Sequence, residues 1–168
     1  DKVTTSGNFF KQGEDWGIGK HRQTSQITGV AVNASATHTL ESGVANIAGG
    51  LFAGVAGTVN VNQLSGNTNA VIGQAKINSL SASPSNVTIR AEDYAMTFGF
   101  AGSVGGGAGG VGGASDTNTF ARNVNAGIIG QGKDSASATV KAAALNITAK
   151  SIQAASSFAE GIGAGGFG

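Results

Sequence analysis

The chain has 168 residues, enough for one domain with a core, yet only 11% are charged, against roughly 25% in ordinary domains. A net charge of +1 with dispersed Lys and Arg excludes the basic stripe that phosphate backbones require, so no nucleic-acid partner is expected. The absence of cysteine excludes disulfide staples and thiolate metal sites, and no stretch of about 20 large apolar residues exists to form a membrane span.

Residues 1–10 are polar and carry no signal-peptide pattern. Ser6-Gly7-Asn8 matches Ser65-Gly66-Asn67, and Gly17-Ile18-Gly19-Lys20 matches Val71-Ile72-Gly73-Gln74, so the N-terminus joins a series that continues downstream. Between these matches lies an insertion, Phe9-Phe10-Lys11-Gln12-Gly13-Glu14-Asp15-Trp16, holding the only Trp. Insertions in repeat proteins map to surface loops, and aromatics mixed with charge are typical of recognition patches. Phe9, Phe10, Lys11, Glu14, Asp15 and Trp16 are therefore the candidate recognition residues; the competing role is to cover an open sheet edge. His21 and His38 fall at unrelated positions, and no convergent ligand set accompanies them, so no metal is expected.

Val30-Ala31-Val32-Asn33-Ala34 begins the first full repeat. It returns as Val87-Thr88-Ile89-Arg90-Ala91 and again as Leu145-Asn146-Ile147-Thr148-Ala149, a period of about 57 residues. Val30/Val32/Ala34, Val59/Val61, Val87/Ile89/Ala91 and Ile147/Ala149 alternate at period two, which predicts strands with these residues on one face. Each copy runs into a Gly/Ala tract, as at Ile47-Ala48-Gly49-Gly50, Val104-Gly105-Gly106-Gly107 and Ile162-Gly163-Ala164-Gly165. With 29 Gly, one Pro and no three-residue period, the chain is not collagen-like; the glycines are expected to let backbones approach closely. Gly105 to Gly110 lacks the Gly-Lys-Ser/Thr ending of a phosphate loop.

Asn33, Asn86 and Asn146 each open an Asn-X-Ser/Thr triplet, and repeated Asn in stacked strands is expected to form side-chain ladders or turn caps. Glu92-Asp93 is the only adjacent pair of acids within a repeat. Extended neighbours point to opposite faces, so the two cannot line one site, and a solvated turn near Tyr94 is expected. With the acids scattered there is no catalytic constellation, and neither an enzyme nor a cofactor is expected. Asp116-Thr117-Asn118-Thr119 replaces the Val-rich strand of the preceding copy and is not repeated, unlike the arrays of ice-binding solenoids. Ala favours helix across Lys141–Phe158, yet that segment aligns with Val/Ile/Thr strands in both earlier copies, so a strand is predicted.

The run Ala48-Gly49-Gly50, then Gly54-Val55-Ala56-Gly57-Thr58-Val59-Asn60-Val61-Asn62, then Asn69-Ala70-Val71-Ile72-Gly73 resembles one repeat of the large leukotoxin-type and filamentous-haemagglutinin-like exoproteins of Gram-negative bacteria. The resemblance implies a right-handed parallel β-helix, two-partner secretion and a place at the cell surface or outside it. It transfers no catalytic residue.

The sequence thus predicts an all-β protein, residues 1–168 forming a single β-solenoid array that starts and stops mid-repeat. The period divides into three coils of about 19 residues around a dry Ala/Val/Ile core, two longer coils being the other division. The expected role is a structural and adhesive extracellular shaft. Its partners would be a host-cell or cell-surface receptor, neighbouring repeats, or identical subunits stacked end to end. A secreted cytotoxin fragment and a self-assembling filament subunit are the alternatives.

Overall fold

The computed structural model describes residues 2–8, 22–129 and 138–166. They form eight strands and no helix: β1 (Lys2–Asn8), β2 (Arg22–Gly49), β3 (Ala53–Ile72), β4 (Lys76–Ile77), β5 (Asn86–Gly107), β6 (Gly109–Ile128), β7 (Thr139–Val140) and β8 (Leu145–Gly165). The sheets have the orders β1-β2-β5-β8, β3-β6 and β4-β7. Of Lys141–Phe158, residues 145–158 enter β8 as a strand despite their alanines, because a strand edge of matching register is present to pair with, whereas residues 141–144 precede it outside any strand.

The long strands within a sheet run parallel. Partner residues differ by a near-constant number rather than adding to one: Gly29 lies against Asn86, the Gly50 N–H donates to Gly106, and the Val87 N–H donates to Ala144. In the β3-β6 sheet the N–H of Gly109 donates to Phe52 and that of Ile129 to Ile72, which pairs every residue with the one 56 further on. Lys76↔Thr139 and Ile77↔Val140 are parallel too. Each long strand is therefore bonded to its counterpart one whole repeat away, and the division into coils of about 19 residues does not hold. Strands of 20 or more residues use most of the period in two passes, leaving no length for a third long one.

The chain forms two compact units, to each of which the long strands contribute a stretch. The first comprises Asp1–Thr37, Gly66–Tyr94 and Arg122–Ile152. Its core is Val87, Ile89 and Ala91 of β5 with Ala70 and Ile72 of β3, packed by Val30 and Val32 of β2 and Val124 and Ile128 of β6. These are the period-two sets that repeat along the chain. Each buried Val or Ile contributes about 1.5–3 kcal/mol. β1 departs from the expected series: it pairs antiparallel with β2, from Lys2↔Thr28 to Asn8↔Arg22, and does not extend the β3-β6 sheet. Beyond β4, Asn78 adopts a left-handed conformation (φ 52°), which asparagine tolerates better than branched residues. Its Nδ2 donates to the carbonyls of Ser85 (3.3 Å) and Lys141 (3.0 Å), fixing the turn into β5.

The second unit comprises His38–Ser65, Ala95–Ala121 and Gln153–Gly168. Here β3 faces β5 with Thr58 opposite Gly102 and Asn60 opposite Phe100. A Cβ on Gly54, Gly105, Gly110 or Gly112 would overlap a backbone oxygen of a facing or neighbouring segment. Sheets ordinarily pack about 10 Å apart with side chains between them. Glycine on the inner faces removes that layer, as the Gly/Ala tracts implied. The interior is not the dry Ala/Val/Ile layer expected: Thr58, Asn60, Asn62, Thr97 and Ser103 are buried. The valines of β3 are inverted as well, Val59 and Val61 being 68% and 66% exposed while Asn60 and Asn62 point inward. Asp116, on the inner face of β6, supplies the acceptor that draws the amides in.

Candidate functional site

Two buried polar clusters organise the inner faces, one in each unit. In the first, Asp93 of β5 is fully buried and meets Arg122 of β6, whose side chain is also buried. Arg122 donates through Nε to Asp93 Oδ2 (2.9 Å) and through Nη2 to Oδ1, a two-pronged charge-assisted contact. Thr68 of β3 donates its hydroxyl to Oδ1 (3.3 Å). Gly66 leaves room for the guanidinium: a Cβ there would sit 2.5 Å from Arg122 Nη1. The hydrogen bonding that Arg122 donates to the Asp93 carboxylate raises the Arg122 pKa above its ordinary, already strongly basic value; burial opposes this and the Asp93 charge adds to it.

Glu92 lies on the opposite face of β5. Its Oε1 accepts from Arg90 Nε (2.7 Å) and from Arg90 Nη2, while Oε2 is buried without a hydrogen-bond partner. The opposite pointing of Glu92 and Asp93 follows from strand geometry as expected. The solvated turn does not: both acids are buried within the central strand of a four-stranded sheet.

In the second unit Asp116 is the hub. Its Oδ1 accepts from Asn60 Nδ2 (2.7 Å) and Asn62 Nδ2 (3.4 Å), and its Oδ2 from Asn118 Nδ2 (2.9 Å). Ser42 joins the row by donating to Asn62 Oδ1 (2.6 Å) and accepting from Asn60 Nδ2 (2.8 Å), and Asn118 donates to Ser157. A Cβ on Gly99 would overlap the Asp116 carboxylate, so glycine makes the pocket in which it sits. Thr97 Oγ1 and Asn118 Oδ1 are buried without a partner. Asp116 and Asn118 of the unrepeated segment thus form an interior polar row with Asn60 and Asn62 of β3, while Thr117 and Thr119 between them are exposed.

An outer Asn ladder exists, at positions other than Asn33, Asn86 and Asn146. Asn123 Nδ2 donates to Asn67 Oδ1 (3.0 Å) and Asn125 Nδ2 to Asn69 Oδ1 (2.8 Å), one repeat apart in each case.

The candidate recognition residues Phe9, Phe10, Lys11, Glu14, Asp15 and Trp16 lie outside the described residues, as does His21. His38 is half-buried in β2. Sequence reasoning passed over Leu51 and Phe52, which sit in the turn between β2 and β3 at 91% and 86% exposure. The signal was present, since their counterparts one repeat on are Ala108 and Gly109, so a large apolar pair stands where the repeat has small residues. Among the described residues no group of three His, Cys, Asp or Glu is placed to hold a metal ion, and no helix is long and apolar enough to cross a membrane.

Comparison with protein-family models, with curated proteins and with solved structures finds no match to this chain.

Proposed function

We propose that this chain is a β-solenoid segment of the right-handed parallel β-helix type, serving as a structural and adhesive shaft in a large extracellular or cell-surface bacterial protein. The observation that carries the reading is the parallel pairing of each long strand with its counterpart one repeat away. Stacking at that register turns a linear repeat into an extendable ladder, in which every added repeat buries its inner face on the previous one. The buried clusters support the same reading. The paired carboxyl oxygens of Asp93 and Asp116 are engaged by groups of the protein itself, which holds facing strands together. Contact with other molecules falls to features outside the repeat, namely the Phe9–Trp16 insertion and the Leu51-Phe52 turn. The resemblance to filamentous-haemagglutinin-like repeats supports an exported, adhesive setting.

Tandem fusions of the repeat read by small-angle X-ray scattering test the scaffold. Each added repeat should lengthen the particle by about 4.8 Å, one strand spacing, at constant cross-section. Growth in cross-section instead would overturn the solenoid. Adhesion is tested by binding of the purified chain to host cells, which should fall on replacing Leu51 and Phe52 with Ser or on deleting Lys11–Trp16. Undiminished binding by both variants would remove recognition from these sites.

A further inference from the structure

The outer face of the β3-β6 sheet in the second unit carries a pattern that the scaffold does not need. With residues paired 56 apart, the face is built of two-strand rows. Val55 sits beside Val111 in one row, and Gly57 sits beside Gly113 in the next. Val55 and Val111 are 73% and 61% exposed, and a Cβ on Gly57 or Gly113 would meet nothing within 4 Å. A valine ridge therefore borders an open glycine trough of the same width, with the exposed Val59 on its far side. Neither strand places a charged residue on this face from Ala53 to Ser65 or from Gly109 to Ala121.

We propose that this face is a docking surface for a second copy of the same chain, the two sheets meeting face to face with the Val55–Val111 ridge of each in the Gly57–Gly113 trough of the other. A two-fold axis between the two rows exchanges ridge and trough, so the surface is complementary to itself. The spacing between rows is the two-residue strand repeat, which the same face of another copy matches without adjustment. Dry interdigitation of small side chains between sheets is the packing of a steric zipper. A charged partner has no counter-charge here, and a lipid surface finds neither the aromatic nor the basic residues that hold interfacial segments. Seven rows two strands wide cover about 400 Å² on each copy, near half the roughly 800 Å² per partner of a standard interface, so the association is weak and reversible. This pairing is lateral, and it stands or falls independently of the extracellular reading.

Sedimentation velocity on the full chain from about 10 µM to about 1 mM tests it, the upper range being where weak complexes populate. The wild type should shift from monomer to dimer as concentration rises. Val55→Lys with Val59→Lys should weaken dimerisation at least about tenfold by burying a charge in the partner's trough and setting like charges of the two copies in adjoining rows, with circular dichroism unchanged. Gly57→Leu with Gly113→Leu separates fit from general stickiness: it adds apolar surface but fills the trough, so dimerisation should fall. A monomer at every concentration, lysine variants that dimerise like the wild type, or tighter association of the leucine variant would each overturn the proposal. So would binding to neutral phosphatidylcholine vesicles without self-association.

Discussion

Asp93 and Arg122 show how a single pair can hold two facing sheets in one register. Taking both ions out of water costs several kcal/mol, recovered only because the fork geometry and the Thr68 hydroxyl satisfy the carboxylate. Removing one partner leaves the other charge buried, so Asp93→Ala should lower stability by about 3–5 kcal/mol in urea unfolding. The double replacement Asp93→Leu with Arg122→Met should recover most of that loss, since no uncompensated charge remains. The pH dependence has a definite sign. A raised Arg122 pKa means that its contribution is complete below the unfolded-state value and is lost only as pH rises through the higher folded-state value. From neutral to mildly alkaline pH the Arg122 contribution to stability should therefore be flat.

At the scale of elements, glycine has two distinct uses that a substitution pair can separate. Gly112 points into the β8 backbone, where a Cβ would overlap Ile162, so Gly112→Ala should cost about 1–3 kcal/mol through overpacking. Gly57 points into open space, and Gly57→Ala should change stability by about 0.5 kcal/mol or less. Thermal unfolding of the two variants gives the comparison. The strands themselves were legible: Val87, Ile89 and Ala91 announced β5, and repeat register overrode alanine propensity in β8. The inner face of β3 was not. Val59-Asn60-Val61-Asn62 obeys period two whichever set is buried, so alternation separates the faces without naming the inner one. Asp116, 56 positions from Asn60, decides it, and a contact over that distance leaves no local trace. The Asp93–Arg122 pair was illegible for the same reason. The reversal of β1 was hidden by its likeness to Ser65-Gly66-Asn67, because side-chain similarity does not encode strand direction.

For the whole molecule, the parallel long-strand pairing joins residues more than 50 positions apart, so loop closure precedes any favourable contact between these strands. Refolding should be correspondingly slow, on a scale of about milliseconds to seconds, as in other β proteins dominated by non-local pairing. Stopped-flow fluorescence of Trp16 and Tyr94 reads this directly, and completion within about 100 µs would show that local structure, not repeat pairing, limits folding. The two units stabilise themselves by different means: the first around an apolar cluster with one buried ion pair, the second around an amide row and bare backbone.

The bare backbone of the second unit also bears on heredity. Every single-base change that alters the meaning of a glycine codon introduces a side chain or a stop. At Gly54, Gly105, Gly110 and Gly112, where a Cβ overlaps a backbone oxygen, no one-step amino-acid change is sterically neutral. The close approach that lets this unit dispense with large side chains thus leaves its gene with a concentrated set of positions at which ordinary mutational drift is harmful.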